Sequence, residues 1–223
     1  MISDEQCQEV KDFVKHYLQE SFKKSDQEWK KNFPRSAEYR WQHTLNVLRN
    51  AEKIIEGEGV DETQADSLRF AAILHDVAMF EAEHEVHGLV GAQIAERYLF
   101  EQGYETDFIK RVCLAVAEHG IDLGPIPPAN QGELLSWAGR TLIEADILDK
   151  LGASAVTSSL LMLGEQGKLN HECRFALAEG IAMQRAVFFK DYVWTETGKR
   201  LAEQRFRFFL KYLEQLAEEV VED

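Results

Sequence analysis

Apolar residues recur along this chain at intervals of three and four positions, which is the period of an amphipathic α-helix. The pattern predicts helices over residues 4–22, 36–57, 61–79, 89–102, 106–119, 133–151, 153–166, 171–189 and 195–221. Ser3 with Gln6, and Asp61 with Gln64, form capping patterns at the start of two of these helices. Because the alternation typical of strands is scarce, the sequence predicts an all-α fold.

Two polar segments interrupt the helical pattern and are predicted to be loops. Residues 81–88 are ionisable and show no period, and residues 120–132 contain three of the four prolines. Either loop could border a functional site or simply connect two helices. Aromatic residues are concentrated near the end of the chain, where they are interpreted as core: Phe188, Phe189, Tyr192, Trp194, Phe206, Phe208, Phe209 and Tyr212.

Length, charge and cysteine content narrow the class of protein. A chain of 223 residues can form one domain, or one domain with helical extensions, around a single core. A net charge of −14 argues against binding a nucleic-acid polymer, which requires clustered Lys and Arg. The longest apolar run, residues 112–117, is far too short to span a membrane, and three widely spaced cysteines suggest neither disulfides nor a thiolate zinc site. We therefore expect a cytoplasmic protein without a membrane segment.

His75 and Asp76 interrupt the apolar helical segment of residues 71–78. Burying a polar side chain without a partner costs roughly 2–7 kcal/mol, and burying a charge costs more. A divalent metal ion would satisfy both groups, since imidazole nitrogen and carboxylate oxygen are common metal ligands. A structural His–Asp pair is the alternative interpretation.

Two further residues could join such a site. His43 shares an apolar stripe with Val47 and Ile54 on the second predicted helix, so it is expected to face inward. Asp146 is flanked by apolar residues on a later helix. Taken singly, each could equally be a core residue satisfied by hydrogen bonds.

Together, these residues carry a family resemblance. The segments Arg40-Trp41-Gln42-His43-Thr44, Ile73-Leu74-His75-Asp76-Val77 and Glu144-Ala145-Asp146-Ile147-Leu148-Asp149 resemble, in order and spacing, the metal-binding blocks of the HD-domain phosphohydrolase superfamily. The resemblance covers about residues 36–155. It implies a single-domain helical fold with the metal site between central helices, and divides the chain into an N-terminal helix and connector (1–35), an HD-domain core (36–155) and C-terminal helices packed on that core (156–223).

The resemblance also implies a ligand set and a reaction. His43, His75, Asp76 and Asp146 would hold a divalent metal ion, which could be Mn, Fe, Co, Ni, Mg or Zn. The implied activity is a metal-dependent phosphohydrolase that uses an activated water on a nucleotide or another small phosphorylated metabolite. Asp76 is assigned to catalysis together with two basic residues, Arg40 and Lys150, which could instead form ordinary surface ion pairs. His87 and His119 resemble the histidines that some members use for a second metal or for substrate phosphate.

The sequence departs from two specialised branches of this superfamily. It lacks the Gly-Tyr-Pro signature of cyclic-dinucleotide phosphodiesterases, and Val77-Ala78-Met79-Phe80 does not contain the Glu-Asp pair of guanosine tetraphosphate hydrolases. Three other interpretations stay open: a metal-bound sensor of a phosphorylated ligand, a di-iron HD-type oxygenase using His84 with His87 and His119, and a purely structural helical protein. Association into a homodimer through the long terminal helices also stays open.

Overall fold

The computed structural model describes residues 2–26, 33, 35–120, 132–168, 172–173, 176–179 and 192–220. No strand occurs within these ranges, so the predicted all-α fold is confirmed. The interior of the 120–132 loop, most of the 171–189 helix, and Phe188 and Phe189 lie outside the described residues. The helices are α1 (Asp4–Lys24), α2 (Ser36–Glu58), α3 (Glu62–Leu74), α4 (His87–Glu101), α5 (Thr106–His119), α6 (Trp137–Asp149), α7 (Gly152–Glu165) and α8 (Glu196–Glu219).

Side-chain caps mark the helix starts that the sequence predicted. The Ser3 hydroxyl accepts the Gln6 N–H at 3.1 Å, and the Gln6 side chain accepts the Ser3 N–H at 3.0 Å, which completes a capping box at α1. Asp61 accepts the Gln64 N–H at 3.0 Å at the start of α3. Gly59 follows α2 in the left-handed conformation, with φ of 63°, which glycine adopts without steric cost.

The structure corrects three predicted boundaries. Helix α3 was predicted to reach Met79 but ends at Leu74, because the chain tightens into turns with Val77 N–H bonded to Leu74 O and Met79 N–H bonded to Asp76 O. Helix α4 begins at His87, inside the predicted loop. Helix α6 begins at Trp137 rather than 133, because Ser136 caps it through the Gly139 N–H. The first two corrections place His75, Asp76 and His87 at helix ends.

One hydrophobic core joins the first six helices and part of α8. Fully burying a large apolar side chain contributes roughly 1.5–3 kcal/mol. A smaller cluster, centred on Val156 and Phe209, joins α7 to α8. Fully buried side chains of the main core include Val10, Val14, Leu18, Val47, Ile54, Leu68, Phe70, Leu74, Leu99, Val112, Val116, Leu142 and Leu148.

The length and apolar character of the described helices bear on whether one of them could span a membrane. None of them is, by itself, both long and apolar enough to cross a bilayer. Only α6 and α7 taken together, as a pair bent by 62°, meet the length and composition criteria.

Glu144 joins α6 to the start of α8 from a fully buried position. Its Oε1 accepts the Thr195 N–H at 3.0 Å and the Thr195 hydroxyl at 2.7 Å, whereas its Oε2 has no partner among the described residues. Burial raises the pKa of Glu144 to about 7, although the hydrogen bonds from Thr195 oppose the shift. Between about pH 4.5 and pH 7, Glu144 therefore stays protonated in the folded protein but is ionised in the unfolded chain, where its pKa is near 4.5.

Replacing Glu144 with glutamine is expected to change how stability depends on pH. Because the folded pKa is the higher one, the wild-type free energy of unfolding declines as the pH rises from about 4.5 to about 7. A neutral amide removes that contribution, so the variant should gain about 3 kcal/mol relative to wild type between acidic and alkaline pH, at 1.36 kcal/mol per pKa unit. Urea unfolding at several pH values measures the difference. If the free energies of unfolding of the two proteins changed in parallel with pH, the prediction would be contradicted.

Candidate metal centre

The packing of α2, α3 and α6 brings four of the predicted site residues together. The Nε2 atom of His43 lies 3.3 Å from Nε2 of His75, 3.1 Å from Oδ1 of Asp146 and 3.5 Å from Oδ2 of Asp76. The Nε2 atom of His75 lies 3.2 Å from the same Asp76 oxygen. His75 and Asp76 are 1% and 3% exposed. Positions 43 and 146, which are about a hundred residues apart, therefore face one shared point.

Hydrogen bonds on the far side of the rings direct the nitrogen lone pairs toward that point. The Nδ1 of His75 lies 2.9 Å from the carbonyl of Ala72, and the Nδ1 of His43 lies 2.8 Å from Oδ2 of Asp149. A neutral ring that donates from Nδ1 presents an unprotonated Nε2. The Oδ1 atom of Asp146 is buried and makes no hydrogen bond within the described residues, despite its short distance to His43.

Such a convergence of imidazole nitrogens and carboxylate oxygens fits a divalent cation. Two imidazole nitrogens and carboxylate oxygens suit ions such as Mn, Fe, Co, Ni or Zn. The ligand atoms of His43, His75 and Asp146 lie within 4.8 Å of one another. The donor set and the unpartnered Asp146 oxygen thus meet the requirements of the metal implied by the sequence.

A second cluster uses the other oxygen of Asp76. Oδ1 lies 3.3 Å from Nε2 of His87 and 3.7 Å from Nε2 of His119, and these two nitrogens are 3.0 Å apart. Gly88 allows α4 to approach α5 this closely, since a Cβ there would lie 3.1 Å from the carbonyl of Val116. Asp76 therefore presents one oxygen to each cluster. The exposed His84, suggested by the sequence as a further ligand, instead stacks its ring on His87 at 5.1 Å.

The two predicted basic residues neutralise the ligand carboxylates. Arg40 donates from Nη1 to Oδ2 of Asp76 at 2.5 Å, and Lys150 donates to Oδ2 of Asp146 at 2.8 Å. Their side chains are 30% and 48% exposed. Each cation thus contacts a buried carboxylate while part of its side chain remains accessible from the cleft.

The same contacts determine the ionisation of the two carboxyl groups. Burial opposes the charged form of Asp76, but the positive charge of Arg40, followed by the interaction with the His75 imidazole, prevails and holds the pKa of Asp76 well below the usual range. Burial likewise opposes ionisation of Asp146, and the ammonium of Lys150 with the imidazole of His43 holds its pKa well below the usual range. Both groups are therefore carboxylates, the form that binds metal.

The two histidines of the first cluster respond in opposite directions. Burial lowers the pKa of His75. Burial also opposes the charge on His43, but the carboxylates of Asp146 and Asp149 outweigh it and raise the pKa of His43 to about 9. In the metal-free protein the His43 ring is consequently protonated on both nitrogens, and so positively charged, at neutral pH.

A cleft of about 800 Å³ adjoins the first cluster. It is large enough for a small-molecule ligand. Arg40, His43, Asp149 and Lys150 line one part of it, and the remainder combines apolar side chains with hydroxyl groups of α7: Phe33, Met79, Phe80, Leu161, Met162, Ser154, Thr157, Ser158 and Ser159.

Asp149 is a site residue for which the sequence suggested no role. Its spacing from Asp146 was the available signal, because residues three apart on a helix share a face. The spacing could not show that both carboxylates meet His43, since that contact depends on how α2 and α6 pack.

Comparisons with known proteins agree with this fold. The model of the HD domain family matches residues 40–151, a segment that includes all eight predicted site residues. YpgQ of Bacillus subtilis is 26% identical over 187 residues, covering 83% of this chain and 86% of that protein.

Two solved structures share the fold over almost their whole length. An HD-superfamily hydrolase from Bacillus thuringiensis superimposes with a TM-score of 0.64 and 24% identity, covering 96% of each chain. Bacillus subtilis YpgQ in complex with ADP gives a TM-score of 0.62 and 18% identity, covering 96% of this chain and 98% of that one. Because the family match spans half of the sequence and contains His43, His75, Asp76 and Asp146, the chain belongs to the HD-domain family.

Proposed function

We propose that this protein is a metal-dependent phosphohydrolase acting on a nucleotide or another small phosphorylated metabolite. The observation that carries the proposal is the cluster of His43, His75, Asp76 and Asp146 beside a cleft of about 800 Å³. Arg40 and Lys150 reach the same carboxylates and line that cleft. A metal-binding cluster next to two cations suits a substrate with several negative oxygens.

Each part of the site has a definite role in this proposal. A bound divalent ion supplies the Lewis acidity that lowers the pKa of water and polarises a phosphoryl oxygen. The buried carboxylates of Asp76 and Asp146 provide the negative charge that holds the ion. Arg40 and Lys150 offset the negative charge of the phosphoryl group, which is spread over its three equatorial oxygens in the transition state of phosphoryl transfer.

A nucleotide is the preferred substrate class, for two reasons. The cleft combines charged groups at the metal-binding end with an apolar part formed by Met79, Phe80 and Leu161, a combination that suits phosphates joined to a base. The complex of Bacillus subtilis YpgQ with ADP supports a ligand of this kind for a protein of the same fold.

A panel of phosphate compounds tests the proposal. Purified protein, freed of metal by a chelator, is incubated with nucleoside mono-, di- and triphosphates and with sugar phosphates, each with Mn, Co, Ni, Mg or Zn. We expect release of phosphate or pyrophosphate that starts only when metal is added. Product release at the same rate with chelator present would contradict the proposed chemistry.

Removal of the cation at position 150 is expected to impair turnover more than folding. We expect Lys150→Gln to lower kcat/KM about 100-fold, the order found when one preorganised group that stabilises transition-state charge is removed. The melting temperature of the metal-loaded protein should change little, because the bound ion would neutralise Asp146 and about half of the Lys150 side chain is exposed. Steady-state kinetics and thermal unfolding measure the two effects.

Lys110→Gln is the matched control for this experiment. Lys110 forms an exposed pair with Asp107 on α5, and its side chain is 72% exposed. Its replacement should leave kcat/KM unchanged. Equal losses in the two variants would show that Lys150 acts only through the net charge of the protein.

The cluster of Asp76, His87 and His119 supports a second candidate, an oxidative reaction at paired iron ions. Asp76 offers one oxygen to each cluster, as a carboxylate that bridges two ions would. Elemental analysis of untagged protein separates the candidates, since one metal equivalent per chain argues against paired iron. A sensor of a phosphorylated ligand would instead show a thermal shift with nucleotides but form no product.

A further inference from the structure

The histidines of the two clusters differ in what holds the nitrogen that faces away from the cluster. Three of them, His75, His87 and His119, direct Nδ1 at the backbone carbonyl three residues earlier. The distance is 2.9 Å for His75 and 2.5 Å for His119. His87 makes the same contact with the carbonyl of His84. All three lie at helix ends, where carbonyls and side chains can meet in this way.

His43 cannot use this arrangement, because it lies inside α2 (Ser36–Glu58). Carbonyls within a helix already accept the N–H four residues later, and the carbonyl of Arg40 also accepts the Thr44 hydroxyl at 3.1 Å. The partner of the His43 Nδ1 is instead Oδ2 of Asp149, at 2.8 Å, supplied by a different helix 106 positions later.

Asp146 and Asp149 thus lie at the two ring nitrogens of one imidazole. Asp146 Oδ1 lies 3.1 Å from Nε2, on the side of the cluster, and Asp149 Oδ2 lies 2.8 Å from Nδ1, on the opposite side. Their side chains are 18% and 12% exposed. The spacing of three residues on α6 makes this arrangement possible.

We propose that Asp149 is a positioning residue that holds His43 as a metal ligand; this inference rests on the proposed metal centre. As an acceptor for Nδ1–H, Asp149 selects the ring form whose Nε2 is free to bind metal and fixes the ring plane. A carboxylate that accepts the Nδ1–H also makes the Nε2 atom a stronger electron-pair donor to a metal than a backbone carbonyl would. Losing such a partner typically lowers metal affinity 10- to 100-fold.

The other oxygen of Asp149 is held less tightly. Ser154 donates to Oδ1 at 3.5 Å, and Asn46 donates to the Ser154 hydroxyl at 2.9 Å. Ser154 lies in the first turn of α7, whose residues line the cleft. Because a hydrogen bond of this length is weak, Ser154→Ala should lower metal affinity less than any change at Asp149.

The test is a calorimetric titration of metal-free protein with Mn²⁺. It is carried out on wild type, Asp149→Ala and Asp149→Asn. We expect about a 10- to 100-fold loss of affinity for Asp149→Ala, which removes the acceptor, and a smaller loss for Asp149→Asn, whose amide oxygen can still accept the Nδ1–H. Asp107→Asn on α5, whose side chain is 84% exposed, is the matched control and should bind as wild type does. Thermal unfolding in chelator shows whether each metal-free variant is folded.

A double-mutant cycle distinguishes positioning from other roles. If Asp149 acts through His43, then Asp149→Ala should lower affinity no further in a protein that already carries His43→Gln. Additive losses would overturn the inference, because Asp149 would then act independently of the ring.

The remaining outcomes are also decisive. If wild type binds no metal, the proposed function itself fails. If wild type binds metal and Asp149→Ala binds it equally well, only the inference about Asp149 is overturned. Should Asp149→Ala fail to fold, the isosteric asparagine variant decides the question, and a Co²⁺ absorption spectrum that differs from wild type would support a displaced His43.

Discussion

Replacing Asp76 with asparagine is expected to remove bound metal and to lower the proposed phosphohydrolase activity by about three orders of magnitude. A bound ion contributes several kcal/mol of transition-state stabilisation, and each 1.36 kcal/mol corresponds to about tenfold in rate. Asp76 shares its oxygens between both clusters, so this single change should affect all metal that they hold. Elemental analysis and turnover measure the two effects.

Asparagine is chosen because it preserves the shape of the buried side chain. Alanine would leave Arg40 without its partner at 2.5 Å and would confuse a loss of folding with a loss of metal. Asp107→Asn again serves as the surface control. Full metal content and full activity in the Asp76 variant would contradict the assignment of Asp76 to the metal centre.

Metal affinity is expected to fall about tenfold for each unit of pH below about 9, as long as one proton must leave before the ion binds. The proton is the one on His43, whose pKa Asp146 and Asp149 raise to about 9 against the effect of burial. Lowering the pH favours the imidazolium and therefore opposes the metal. Mn²⁺ titrations at several pH values, in buffers of different ionisation enthalpy, give both the affinity and the number of protons released.

The raised pKa of His43 also makes the stability of the metal-free protein depend on pH. The folded pKa of His43 exceeds the value of 6.5 for an unperturbed histidine, so protonated His43 contributes stability that is complete below pH 6.5 and is lost as the pH rises through about 9. His43→Gln should reduce both pH dependences. Metal affinity that stays constant between neutral and alkaline pH would count against a protonated His43.

The local sequence accounts for most of the helices. The capping box of Ser3 and Gln6 and the glycine at position 59 mark boundaries through interactions within a few residues. The end of α3 was placed too late because the apolar pattern continues through Ala78, whereas hydrogen bonds to Leu74 and Asp76 tighten the chain into turns. Periodicity records which face is buried, and it does not report a change in the hydrogen-bond pattern.

The sequence by itself determined the fold class and the order of the helices, because both follow from periodicity and capping, whereas the candidate ligands came from a family resemblance. Only the tertiary structure decided that Asp76 offers one oxygen to His75 and the other to His87, and that Asp149 holds His43. These contacts join residues up to 106 positions apart. Their distances depend on how α2, α3 and α6 pack against one another, which no local pattern in the chain records.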